Sequence, residues 1–142
     1  MKKIVLLIFI LFSIGANAQT TGIAFEKGNW YSILQKAKAE KKLIFLDAYT
    51  SWCGPCKRMQ AYVFPDKKLG DYFNANFVNA KIDMEQGEGP AIGMKYPVKG
   101  YPTLFFIDPN TGKIVKENLG GLTVDQLYKL GEDIQKSKKS SI

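Results

Sequence analysis

The stretch Leu43-Ile44-Phe45-Leu46-Asp47-Ala48-Tyr49-Thr50-Ser51-Trp52-Cys53-Gly54-Pro55-Cys56 decides how this chain is read. Its first four residues form a continuous apolar run, which suits a strand covered on both faces and therefore the middle of a sheet. Its end carries the only two cysteines of the chain. Thiols separated by two residues can close a small disulfide ring, and directly after a strand the spacing reads as a redox motif. Pro55 stands where proline is tolerated, in the first turn of a helix, which places Cys53 at the helix N-terminus.

That placement has chemical consequences. Unpaired N–H groups and the positive end of the helix dipole favour the thiolate of Cys53, the reactive form. Lowering a cysteine pKa from about 8.5 to about 7 raises the thiolate fraction at neutral pH roughly fifteenfold. The weaker nucleophilicity of a more acidic thiol takes back about fivefold, so the main gain is a better leaving group and a tuned potential. The i, i+3 spacing puts Cys56 on the same face one turn later. Cys53, expected to be the more exposed thiol, would attack a substrate disulfide, and the inner Cys56 would resolve the mixed disulfide. Gly54 and Pro55 keep the turn compact and leave the approach clear. A zinc site wants four ligands, and with no histidine in the chain a metal reading needs carboxylates or a second subunit. Cys-His nucleophilic catalysis is excluded on the same ground.

Outward from this stretch, helices and strands alternate. Trp30, Ile33, Leu34 and Ala37 recur at helical spacing behind Asn29, an N-cap, and predict a helix over 30–40. After Cys56, Met59, Tyr62 and Val63 would supply the buried side of a helix that Pro65 stops. Asp66 would cap a second helix carrying Leu69, Tyr72 and Phe73. Residues 77–82 read as a strand, 84–90 as a loop containing Gly87, Gly89 and Pro90, and 91–95 as a brief helical turn ended by Pro97. Thr103-Leu104-Phe105-Phe106-Ile107 is another buried strand. Asp108-Pro109-Asn110-Thr111-Gly112 then turns it into a hairpin with 113–116. Thr123-Val124-Asp125-Gln126 is a capping-box pattern opening a last helix with Val124, Leu127, Leu130 and Ile134 on one face. Residues 23–25 read as an edge strand. The order indicates an α/β domain with a central mixed sheet flanked by helices.

The chain of 142 residues, 46% hydrophobic and 13% aromatic, holds one sizeable core and is too short for two ordinary domains. Its formal charge of +7 is spread along the sequence apart from Lys136, Lys138 and Lys139, which reads as solvated surface and not as a nucleic-acid footprint. Residues 1–18 stand apart from the domain at 19–142. Lys2 and Lys3, an apolar run over 4–14 and Gly15-Ala16-Asn17-Ala18 have the form of a cleaved secretory signal. The run is well short of the roughly 20 apolar residues that span a bilayer, so no membrane insertion is expected after cleavage. A periplasmic or secreted location follows.

Trp52-Cys53-Gly54-Pro55-Cys56-Lys57 after an apolar strand resembles thioredoxin, and the resemblance extends over about 25–136. Asp47, six positions before Cys53, matches the buried aspartate that accepts the proton of the inner thiol in that family. Lys81 falls where the family can place a lysine near that aspartate. Gly100-Tyr101-Pro102-Thr103 is similar to the family's cis-proline segment, which packs on the disulfide and meets the substrate chain. Gly120 matches a glycine on the substrate-facing rim. The resemblance implies a thioredoxin fold, with Trp52 and Tyr101 as an apolar docking rim and no cofactor beyond the Cys53–Cys56 pair. Val63-Phe64-Pro65-Asp66, with Tyr72-Phe73-Asn74, is closer to thioredoxin-like domains of exported bacterial proteins, including the C-terminal domain of the periplasmic transmembrane electron carrier.

The function these features predict is a thiol-disulfide oxidoreductase that reduces or exchanges disulfides in protein substrates outside the cytoplasm. The Gly-Pro pair between the cysteines resembles reducing thioredoxins, near −270 mV, more than oxidising relatives near −120 mV. Such a reductant needs a membrane electron donor. The alternatives are a disulfide oxidase or isomerase, and a binding module or thiol metal site without turnover.

Overall fold

The computed structural model describes residues 21–140. The expected signal segment, residues 1–18, lies outside the described residues. Nine elements follow one another: α1 (Trp30–Glu40), β1 (Leu43–Tyr49), α2 (Gly54–Tyr62), α3 (Lys67–Asn76), β2 (Phe77–Asp83), α4 (Gly89–Lys95), β3 (Thr103–Ile107), β4 (Ile114–Leu119) and α5 (Val124–Ser140). The sheet order is β2-β1-β3-β4. β1 pairs in parallel with β2 and antiparallel with β3, and β4 returns antiparallel on β3.

The caps read from sequence form through local side-chain bonds. Asn29 Oδ1 accepts from Ser32 N at 2.8 Å and Asp66 Oδ1 from Leu69 N at 2.8 Å. Thr123 and Gln126 exchange two bonds, 3.3 and 2.9 Å, as a capping box. The continuous apolar run over 43–46 is buried on both faces, as its lack of alternation requires. One face, with Leu43, Phe45, Phe77, Leu104 and Phe106, is covered by Met59 of α2, Leu69 and Phe73 of α3, and Leu127 and Ile134 of α5. The other, with Ile44, Leu46, Val78 and Phe105, is covered by Ile33 and Ala37 of α1, by Ile92 of α4 and by Tyr96, which caps its C-terminal end. Phe45 packs edge-on against Phe73 at 4.9 Å between ring centres, and lies tilted against Phe106 at 5.2 Å.

Three expectations change. Tyr62 is 78% exposed, because α2 ends at it and the buried stripe passes from Met59 straight to Val63. The segment 84–90 is a loop only to Glu88, since Gly89 and Pro90 form the first turn of α4. In place of an edge strand, residues 23–25 contribute one isolated parallel bridge, Phe25 to Asn79.

Side chains clip the N-terminal segment down. Asn74 accepts from Ala24 N at 2.9 Å and donates to Gly22 O at 3.1 Å, while Asn79 Nδ2 donates to Ala24 O at 3.3 Å. The segment lies so close to α3 that a Cβ on Gly70 would overlap the backbone of Gly22, whose own φ of +90° favours glycine. Replacing Gly70 by Ala should therefore lower stability by about 1–3 kcal/mol, read as a lower urea midpoint with an unchanged slope.

Candidate active site

β1 runs out at Tyr49, and the chain turns so that Cys53 N donates to Thr50 O at 3.3 Å. Cys53 is the N-cap of α2, with extended backbone at φ −71° and ψ 112°, and Pro55 occupies the first turn. The N–H of Cys56 donates to Cys53 Sγ at 3.2 Å. A thiolate at Cys53 would thus receive one of the orphan N–H groups of the helix end and the favourable end of its dipole. Cys53 and Cys56 are joined in a disulfide, their Cα atoms 5.3 Å apart. A Cβ on Gly54 would meet nothing within 4 Å, so that side of the turn is open to an incoming chain.

The expected contrast in exposure is slight: Cys53 is 3% exposed and Cys56 1%. Burial of Cys53 follows from its capping position, which folds its sulfur back over the helix end. The difference between the thiols therefore rests on their place in the helix, Cys53 outside it and Cys56 inside the first turn.

Asp47 is 1% exposed, and neither of its carboxyl oxygens has a hydrogen-bond partner. It pairs in register with Lys81 on one side and Leu104 on the other. Alternation along β1 puts it on the face of Leu43 and Phe45, the face that α2 covers. Desolvation raises its pKa from 3.8 to about 7, against an opposing pull from Lys81. Burial lowers the pKa of Lys81, with Asp47 acting the other way. The register brings Lys81 beside Asp47, but its ammonium lies over the Tyr49 ring, 4.7 Å from the centroid.

The opposite wall is the loop before β3. The Tyr101–Pro102 peptide bond is cis, Thr103 Oγ1 donates to Gly100 O at 2.7 Å, and Gly120 N donates to Pro102 O at 2.8 Å. Gly120 has φ +98°, which a side chain would oppose, and so ties the end of β4 to the proline. Trp52, 62% exposed, stands edge-on to Tyr101 at 5.8 Å and donates its indole N–H to Glu85 Oε2 at 2.9 Å. Beside the disulfide, a groove of about 470 Å³ runs between Pro55, Arg58 and Met59 of α2 and Gly121 and Leu122.

Glu85 was not legible in the sequence, and neither was Glu88, whose Oε2 accepts from Trp30 N at 2.8 Å. Both contacts join residues far apart in the chain, so no local pattern announces them. The one available signal was the acidic character of the 83–88 turn next to a strand end.

A model of the thioredoxin family matches residues 22–133. Protein disulfide-isomerase 1 of Dictyostelium discoideum is 32% identical over 127 residues, covering 87% of this chain and 32% of that protein. The thiol:disulfide interchange protein DsbD of Yersinia pestis is 30% identical over 86 residues, covering 60% of this chain and 14% of that protein. This chain thus spans a third or less of the length of these two relatives. Among solved structures, a candidate disulphide-isomerase from Bacteroides thetaiotaomicron is 45% identical. That match covers 82% of this chain and 98% of that one, with a TM-score of 0.69.

Two outcomes are expected. Because Asp47 titrates near 7 in the folded chain and near 3.8 unfolded, the folded state binds the extra proton, and stability falls as pH rises across that window. Asp47→Asn should match the wild type at pH 4 and exceed it by up to about 4 kcal/mol at pH 8, measured by urea unfolding at both pH values. Glu85→Ala in a Trp30→Phe background should release the Trp52 indole, lowering its fluorescence anisotropy, at a stability cost of about 1 kcal/mol or less.

Proposed function

The chain belongs to the thioredoxin family, and from that premise we propose that it is a thiol-disulfide oxidoreductase that reduces or exchanges disulfides in protein substrates. The observation that carries this reading is the disulfide at the start of α2, directly after the strand that holds the buried Asp47. Cys53 caps the helix and accepts from Cys56 N, and β1, which leads into this turn, carries a buried carboxyl with no partner.

In the reduced form the Cys53 thiolate attacks one sulfur of a substrate disulfide. A Cys53–substrate bond forms, the substrate bond breaks, and the second substrate sulfur leaves as a thiolate. Asp47 takes the proton of Cys56, as its pKa near 7 suits it to do. The Cys56 thiolate attacks Cys53 Sγ, closing the disulfide seen here and releasing the substrate dithiol. Two electrons pass from the protein pair to the substrate, and the pair itself is the only redox carrier the reaction requires. Trp52, Tyr101 and the Pro102 segment form the docking rim, with Gly100, Gly120, Gly54 and Pro55 shaping the backbone approach.

The Gly-Pro pair favours the reducing direction. A disulfide isomerase is the second reading, supported by the 45% identical candidate disulphide-isomerase. We place the protein outside the cytoplasm, on the signal-like residues 1–18, where a reductant must be recharged. No helix among the described residues is long and apolar enough to cross a membrane. A membrane electron donor is the proposed source of the electrons.

Equilibration with glutathione should give the Cys53–Cys56 pair a potential near −270 mV, whereas a value near −120 mV would turn the assignment to an oxidase or isomerase. Cys56→Ala should accumulate mixed disulfides that dithiothreitol releases and that vanish when Cys53 is also replaced. Absence of any covalent partner would instead make the chain a binding module.

A further inference from the structure

Strand register places four side chains on one patch of the sheet: Asp47 opposite Lys81 and Tyr49 opposite Asp83. Two-residue alternation keeps Asp47 and Tyr49 on one face of β1, and Lys81 and Asp83 on the same face of β2. A lysine at this point has three destinations. It can close on the carboxyl beside it, reach out to solvent, or settle on an aromatic face. Its Nζ is 4.7 Å from the centre of the Tyr49 ring, within the range of a cation–π contact. Both Asp47 oxygens meanwhile remain without a hydrogen-bond partner.

Each alternative would disable the carboxyl as a base near neutrality. An ammonium hydrogen-bonded to Asp47 would keep it ionised down to ordinary acid pH, leaving little drive to take a thiol proton. An ammonium in solvent would leave a buried carboxylate without any compensating charge. We propose that Tyr49 is a positioning residue of the proton relay: its ring holds the Lys81 ammonium beside the Asp47 carboxyl but off it. This placement governs when Asp47 accepts the Cys56 proton. The inference rests on the oxidoreductase reading for its role in turnover, but not for the arrangement itself.

The surroundings leave few other actors. Lys81 is the one charge acting on Asp47, and Asp47 the one acting on Lys81. β3 brings apolar Leu104 alongside Asp47, and α2 packs Met59 on this face of the sheet and adds no charge acting on Asp47. Asp83, opposite Tyr49, and Asp47 both act to keep the phenol protonated, as does its partial burial. The route to solvent is a cavity of about 220 Å³ lined by Lys81, Gln60, Phe25 and Thr21, none of which adds a charge besides Lys81 itself.

The test is a ¹³C NMR titration of the Asp47 carboxyl carbon in the oxidised, intact protein, where no substrate or turnover is needed. Tyr49→Phe keeps the ring and should leave the midpoint where it is. Tyr49→Leu removes the aromatic face, so Lys81 moves out through the cavity and the midpoint should rise by about half a pH unit or more, the size of an ordinary cation–π contact on the pH scale. Lys81→Met should raise the midpoint by itself and abolish any further effect of Tyr49→Leu. The proposal is overturned if Tyr49→Leu leaves the midpoint unmoved or lowers it, if Tyr49→Phe shifts it equally, or if the leucine effect survives Lys81→Met. Should Tyr49→Leu not fold, an unmoved midpoint in Lys81→Met overturns the proposal unaided. A failed disulfide-reduction assay with an intact titration pattern would count against the oxidoreductase reading alone.

Discussion

Coverage of β1 on both faces is the constraint from which the rest of the molecule follows. A strand flanked by β2 and β3 and sandwiched between two helix layers must be apolar at nearly every position, and residues 43–46 are. The exception, Asp47, sits where the strand is still covered but about to emerge. Two residues beyond it the pairing ends, and the turn at Thr50 hands the chain to α2 with Cys53 as its cap. One strand therefore carries a buried carboxyl and leads, through a single turn, into a helix-terminal thiol. The cost of burying that carboxyl is a standing charge on stability above pH 4, of the kind found where a fold is shaped for chemistry.

The thiols differ in bonding more than in access. Both sulfurs are nearly covered, so exposure does not select the attacking one. The helix does: Cys53 Sγ accepts an N–H that would otherwise be orphaned, while Cys56 lies within the first turn, its own N–H committed to its partner. A negative charge is welcome at the first position. At the second no orphaned helix-end N–H is on hand, which is why the proposed reaction gives Asp47 the part of base.

The parts of this arrangement that sequence made legible are those written in short-range chemistry. Asn29, Asp66 and the Thr123–Gln126 pair announce their helices because a capping side chain reaches only three residues along the chain. The run over 43–46 announced a central strand for the equally local reason that no polar residue interrupts it. Asp47, Lys81 and Pro102 were picked out by resemblance; of the three only Asp47, set between Leu46 and Ala48, has neighbours that point to burial. Tyr62 misled because spacing tells which residues share a helix face but not where that face runs out. The contacts of Glu85 and Asn74 were invisible because their partners, Trp52, Gly22 and Ala24, are brought close only by the completed fold.

The turn at 83–88 shows how such distant contacts bear on the site. Its Asp83 accepts from Glu85 N at 3.0 Å, a short local bond that bends the chain at the end of β2. The bend presents Glu85 to Trp52 at the redox centre and Glu88 to the N–H of Trp30 at the start of α1. Two acidic side chains thus join the rim of the site to the helix layer behind the sheet. Trp52 is mostly exposed, and an exposed indole held by a carboxylate on one edge and by Tyr101 on another presents a fixed apolar face. Under the proposed function, a substrate chain covering the disulfide would cover this face too. Docking therefore exchanges water for a preset surface, and little ordering is left to offset the gain.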